Sequence, residues 1–317
     1  MSNNIYTTNE QLTNQLSRLP SLRSIYAGCA LTAGIDIDGE LQYSSTNFAY
    51  LSTKYWINVV QLALDKYHPD VIFGLKADKT CVVGKCPFAG WASYNERYSG
   101  TRMGNDSFGW LLRSVHNLNG IVQIAVNGSH LFALDEDGMV HAIEYRSTMN
   151  IWTPFTPSLS EQIAKSVRSW HDVRHIILAE EEVVIAQMNN GELLCAGSTQ
   201  DLYGTFGEKD FVKLQDTQIV DACAYFGGES KYYAFLDAEN NIHGLSRRFA
   251  GADGKYFVQI VGLDHSFLGL KDNGEIVSFQ GIETDKLHWP GMKQISIGKE
   301  SPIGYDNVFL VGLSRGE

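Results

Sequence analysis

One short pattern returns seven times along this chain. An alternating apolar run passes through a polar or glycine link into a second apolar run, then a turn of Asp/Asn-Gly type, then a third apolar run. The clearest copies are IVQIAVNGSHLFALDEDGMVHAI (Ile121 to Ile143) and FVQIVGLDHSFLGLKDNGEIVSF (Phe257 to Phe279), which match almost element for element. Taking the turn as a marker gives positions 39, 79, 138, 191, 240, 274 and 316, so the units are unevenly spaced but fill the whole chain. Period-2 apolar runs with turn signals and no long 3.6-residue periodicity specify strands rather than helices. Repetition at this length marks an array of one supersecondary unit.

Units of this size supply about four short strands each and fit the blades of a radial propeller, which protects its sheet edges by closing into a ring. The expectation is an all-β, seven-bladed β-propeller spanning residues 1–317 as a single domain, with irregular inter-strand loops around 85–118 and 144–170. The last unit stops at Gly316-Glu317, and Asn3 to Thr7 reads as its continuation, so the last blade is expected to be closed by the N-terminal strand. The turns are read as two-residue type I′ hairpins, at Asp38-Gly39 and Asn190-Gly191 for example. Asp78-Lys79 and Glu239-Asn240 lack the glycine; Asn240 can take the left-handed conformation, whereas Lys79 calls for a different turn or a longer loop. The nearest thing to a helix is Ser158 to Ser169, with Ser160 as its cap and Ile163, Ala164 and Val167 as its apolar face.

Charge and composition narrow the partners. The 36 acidic residues outnumber the 25 basic ones, so the overall field repels phosphate backbones and anionic membrane surfaces, which argues against nucleic acid and membrane as partners. Five scattered cysteines, Cys29, Cys81, Cys86, Cys195 and Cys223, are no disulfide framework and point to a reducing compartment. The N-terminal residues lack a basic region followed by an apolar one, so the expected location is cytoplasmic, or exported without a signal peptide of that kind.

Three segments resemble the repeats of the regulator of chromosome condensation family. GSTQDLYGTFG (Gly197 to Gly207) is similar to that family's Gly-x-Asn-x-x-Gly-Gln-Leu-Gly segment, ASYNERYSGTRMG (Ala92 to Gly104) is a looser echo of it, and GSHLFAL (Gly128 to Leu134) resembles the Gly-x-x-His-Ser-Leu-Ala-Leu strand. The resemblance implies a seven-bladed propeller. It also implies a repertoire of guanine-nucleotide exchange on small GTPases, chromatin attachment, ubiquitin-ligase modules and, in a similar bacterial propeller, β-lactamase inhibition. One fold hosts all of these, so the fold alone does not choose among them.

The familiar catalytic motifs are missing from the sequence, and no cofactor or metal is expected. His130 and His265 recur at equivalent places of the repeat, which favours hydrogen bonding within blades over chemistry. His171 and His175 lack further ligands for a metal, Cys81 and Cys86 lack a second pair, and Glu180, Glu181 and Glu182 read as a solvated loop. The irregular segments are more informative. They interleave Trp91, Tyr94, Tyr98, Trp110 and Trp152 with Arg102, and Tyr, Trp and Arg supply rigid contact area with a polar handle. The expected function is therefore a non-enzymatic protein-binding propeller that recognises a protein partner through these loops on one face. The competing readings are nucleotide exchange or effector action on a small GTPase, and a hydrolase or lyase with its site at the central channel mouth.

Overall fold

A computed structural model describes residues 5–29, 31–45, 53, 56–65, 71–85, 105–145, 159–197, 214, 217–227, 230–244, 256–262, 267–279, 287, 289–299 and 308–315. The described strands form seven antiparallel three-stranded sheets. Blade 1 holds β2 (Leu22–Gly28), β3 (Leu31–Asp36) and β4 (Leu41–Ser45); blade 2 holds β5 (Val59–Leu64), β6 (Val71–Lys76) and β7 (Cys81–Lys85). Blade 3 holds β8 (Ile121–Val126), β9 (His130–Asp135) and β10 (Val140–Glu144); blade 4 holds β11 (Val173–Glu180), β12 (Val183–Met188) and β13 (Leu193–Gly197). Blade 5 holds β14 (Ile219–Gly227), β15 (Ser230–Asp237) and β16 (Ile242–His243); blade 6 holds β17 (Phe257–Gly262), β18 (Phe267–Lys271) and β19 (Ile276–Ser278). Blade 7 joins β20 (Met292–Lys299) and β21 (Val308–Ser314) to β1 (Ile5–Thr7), the chain's own beginning.

The first strand of each blade touches the first strand of the next, from β2 through β5, β8, β11, β14, β17 and β20 and back to β2. These seven strands are therefore the innermost, and the ring is closed. The expected seven-bladed propeller is thus present, with three strands of each blade among the described residues. Helices occupy part of the outer space. α1 (Glu10–Leu16) packs on β1 and β4, α2 (Asn105–His116) on β7 and β10, and α3 (Leu159–Val167) on β13 and β10. α3 buries Ile163, Ala164 and Val167 as its periodicity predicts, but Ser160 lies inside the helix and is not its cap.

Each seam between neighbouring blades has its own apolar core. Seam 1/2 packs Ile35, Trp56, Val59 and Ile72, seam 4/5 packs Ile185, Ile219 and Phe235, and seam 5/6 packs Leu236, Phe257 and Phe267. Seam 7/1 packs Leu12 and Leu16 of α1 with Leu22, Ile25, Phe309, Val311 and Leu313. Stability is spread over seven interfaces, each linking only its two blades, which explains why closure matters.

A polar clamp accompanies the cores. The third residue of four inner strands is Gln, and its amide both donates to and accepts from the fourth residue of the next blade's inner strand. Gln61 pairs with Ile124 (3.0 and 3.0 Å), Gln123 with Ile176 (2.8 and 2.7 Å), Gln259 with Ile295 (2.8 and 2.9 Å) and Gln294 with Ile25 (2.8 and 2.8 Å). A single amide supplies the donor and acceptor that two neighbouring backbones lack. Ser24, His175 and Asp221 occupy the same position at the other three seams. Ser24 is too short to span; there Arg23 donates to Val59 O at 2.6 Å. At His175 the role passes to Gln187, which donates to Thr217 O and accepts from Ile219 N.

Asp221 accepts from Ile260 N at 2.9 Å across seam 5/6 and from Ala222 N at 2.9 Å. Desolvation in the seam pushes its carboxyl up to about 7, against the pull of these two amides. A raised carboxyl favours folding while it is protonated, so its contribution is full below the unfolded value and is lost as pH rises through 7. Between pH 8 and pH 5.5 the native protein should gain about 1–2 kcal/mol relative to Asp221→Asn. His175 works in the opposite direction, since burial, assisted by Arg174, lowers its pKa; it is present in both proteins and cancels. Thermal melts of the two proteins at both pH values check this, and a difference independent of pH contradicts it.

Candidate functional site

Six described hairpins share one turn. The residues before and after each loop are bonded, as in Asp36 N to Glu40 O, Lys76 N to Thr80 O and Asp135 N to Met139 O, at 3.0, 2.9 and 3.0 Å. Each encloses three residues, the third in the left-handed region: Gly39, Lys79, Gly138, Gly191, Asn240 and Gly274. These are therefore three-residue loops with a bulge, not two-residue type I′ turns, and the left-handed residue falls at the turn position read from the sequence in all six. Lys79 adopts the same conformation at φ 65° without a longer loop, and its Nζ pairs with the Glu136 carboxylate. The turn carbonyl then meets the next blade: Gly39 O accepts from Val59 N, Lys79 O from Ile121 N and Gly138 O from Val173 N, at 2.9, 2.9 and 3.0 Å.

All these turns lie at one end of the ring, where the inner strands begin. There every inner strand carries a register shift between its first and third residues, a bulge that turns the second residue out of the ladder. The seven second residues, in ring order, are Arg23, Val60, Val122, Arg174, Val220, Val258 and Lys293. The four valines are 40–46% exposed, although their runs read as core strand. Arg23 and Arg174 are exposed and Lys293 is half-buried, with its ammonium pKa lowered by that burial. Arg23 and Lys293 each reach along the ring to the first residue of the next blade, at Val59 O and Leu22 O. Among the described residues none of the three meets a carboxylate.

Further apolar side chains surround this mouth. Ile37 sits in a hairpin turn and Met139 directly follows one, while Ile57 lies two residues before β5 and Tyr256 directly precedes β17. Of the ten large apolar side chains exposed among the described residues, eight belong to this end; Trp110 and Leu159 are the others. Tyr256 is 63% exposed with φ 70°, a conformation that costs a bulky residue and that places its carbonyl to accept from Asp272 N. The outer turns carry the opposite charge. Asp38, Glu40, Asp137, Glu192 and Glu239 are exposed and have no cationic partner among the described residues.

At the other end the described polar residues bond one another. Asn127 Oδ1 accepts from His130 N at 3.0 Å, and His130 Nδ1 lies 2.9 Å from Ser129 Oγ. His130 is fully buried, and desolvation, assisted by Arg168, lowers its pKa to about 4, so it stays neutral. Glu180 is buried at the end of β11 rather than in a solvated loop, because the strand runs one residue into the acidic triplet. Cys81 is buried and its thiol is pushed up to about 12 by desolvation, which makes it inert.

Of the aromatic and arginine residues singled out from sequence, only Trp110 is among the described residues. It is 49% exposed on α2, which buries Leu111 and Val115 between blades 2 and 3, so it stands on the outer wall of the ring. Trp91, Tyr94, Tyr98, Arg102 and Trp152 lie outside the described residues, as do Cys86 and His265. The mouth residues escaped the sequence reading because Val at an alternating strand position reads as core. The one available signal was the basic residue at the same repeat position in three units, Arg23, Arg174 and Lys293.

No family model matches the chain, and none of the curated proteins does. Its similarity is to solved propeller structures. These include Prp20p from Saccharomyces cerevisiae, at 12% identity over 96% of this chain and 71% of that one, with a TM-score of 0.42. The CRINKLY WD40 ectodomain of the Arabidopsis thaliana receptor kinase ACR4 matches at 12% identity over 90% of this chain and 94% of that one (TM-score 0.47). Human WBSCR16 matches at 13% identity over 93% and 87% (TM-score 0.48). The fold assignment rests on the seven sheets and their closed ring of contacts.

Proposed function

We propose that this chain is a non-enzymatic, protein-binding propeller that meets its partner at the hairpin-turn end of the ring. The carrying observation is the crowding of exposed apolar side chains there: Ile37, Ile57, Met139 and Tyr256 around four valines. Scattered apolar residues are ordinary on a surface, but eight of the ten exposed large apolar side chains among the described residues gathered at one end of a symmetric scaffold, with carboxylates on its turns, have the composition of an interface. Trp110 belongs to the same reading as a separate contact on the outer wall, together with the other aromatic and arginine residues of the 85–118 and 144–170 loops.

The test is affinity capture from the native source with three baits. The intact chain should recover a protein that Ile37→Asp/Ile57→Asp loses and that Trp110→Ala recovers more weakly. Both variants change exposed side chains and should melt within about 1 °C of the parent. Recovery of the same proteins by all three baits, in equal amounts, would rule the reading out.

A further inference from the structure

We infer that the ring mouth takes an extended peptide terminus: a free C-terminal carboxylate on an apolar tip, with basic residues upstream, supplied by a protein partner. This rests on the protein-binding reading above and specifies the segment recognised. Its basis is a concentric arrangement of charge in an acidic chain. The seven bulge positions hold three cations, four valines and no carboxylate, whereas the turns outside them hold Asp38, Glu40, Asp137, Glu192 and Glu239.

Two of the three cations stand close enough in ring order to serve one anion. Lys293 and Arg23 stand on blades 7 and 1, which are neighbours, and each spends one donor on a backbone carbonyl. A guanidinium has five N–H donors and an ammonium three, so most of their donors are not used by those bonds. Val258 and Val60 flank this pair on blades 6 and 2, so an anion held there has an apolar wall on either side. Arg174 stands across the ring between Val122 and Val220. An inorganic anion would satisfy the cations but leave the valines wet, and an apolar peptide without charge would leave the cations unpaired. A uniformly acidic peptide would meet the carboxylates of the turns. A terminal carboxylate beside an apolar side chain satisfies the centre, and Lys or Arg several residues upstream falls over the acidic turns.

The experiment uses the full chain and an immobilised library of ten-residue peptides, made once with free C-terminal acids and once amidated. The free-acid set should show selection for an apolar last residue and for Lys or Arg further upstream. Amidation of the selected peptides should weaken binding by about tenfold or more, the scale of one lost charge-assisted contact. Arg23→Gln/Lys293→Gln should weaken the free acid to a similar degree while leaving the amide unchanged. Because these two side chains also hold carbonyls across seams, Val122→Asp serves as a second variant at an exposed position and should also weaken the free acid. Equal binding of acid and amide, or no selection in either set, overturns the inference. If that happens while Ile37→Asp/Ile57→Asp still loses its captured partner, the protein-binding reading stands and only the peptide-terminus assignment fails.

Discussion

Removal of residues 1–10 is expected to lower the melting temperature by about 10 °C or more, far beyond the effect of trimming a frayed tail. The deletion takes away β1, which pairs Ile5 with Leu313, Tyr6 with Gly312 and Thr7 with Val311. It also removes Thr8, which bonds Leu310 through both its backbone N–H (3.1 Å) and its Oγ1 (2.9 Å), and Asn9, whose Oδ1 caps α1 at Leu12 N. Tyr6 loses its stacking on Trp289, with ring centroids 5.8 Å apart, and Ile5 leaves the seam 7/1 core. Two part-buried side chains and several backbone bonds amount to about 5 kcal/mol. The loss is not local, because α1, left without its cap, carries Leu12 and Leu16 into the seam that joins the last blade to the first. A melting temperature unchanged by the deletion would refute this account of closure.

Gly262→Ala is expected to destabilise the ring by about 3 kcal/mol or more, through backbone crowding rather than lost contacts. Gly262 ends β17 against β14, and a Cβ there would stand 1.9 Å from Ala224 O and 2.8 Å from Ala224 C. Neither atom belongs to a side chain that could swing away, so blades 5 and 6 would have to separate. Gly298 shows the same close approach at seam 7/1, where a Cβ would lie 2.4 Å from Gly28 O. Gly109→Ala is the control. On α2 its Cβ would find only Arg113 Nη1, at 3.8 Å, so the change should be neutral or stabilising by about 0.5–1 kcal/mol. Parallel denaturant titrations separate the outcomes, and equal midpoints for Gly262→Ala and the parent would mean the blades do not approach so closely.

The fold was largely legible because its determinants are local and repeated. Left-handed φ at Gly39, Gly138, Gly191 and Gly274 comes directly from the turn glycines, and Ile5 to Thr7 pair with β21 as the expected strand of the last blade. Two helices escaped notice. α1 is two turns long, and α2 contains Gly109 and begins in a stretch whose aromatic residues look like loop, so tertiary packing of Leu111 and Val115 decides its conformation. The Gln clamp at Gln61, Gln123, Gln259 and Gln294 is visible as a repeated letter, but its partners lie on the next blade and only the ring reveals them.

The mouth was less legible for a physical reason. A β-bulge moves one residue out of the alternation, and period-2 reading assigns Val60, Val122, Val220 and Val258 to the ladder they have left. Their exposure becomes apparent only when the inner strands are placed around an axis. The same displacement puts Arg23, Arg174 and Lys293 there without a carboxylate paired to them among the described residues, which no pairwise reading of the sequence would bring together.

Native-state hydrogen exchange on the intact chain tests closure most directly. In a closed ring the seam 7/1 strands have neighbours on both sides, as every other blade does. Amides of Ile25 to Ala27, Ile295 to Ile297 and Leu310 to Leu313 should therefore exchange with opening free energies within about 1 kcal/mol of those for blades 3 and 4. Opening of blades 1 and 7 several kcal/mol more easily than the middle of the chain, the behaviour of the free ends of a linear stack, would contradict it.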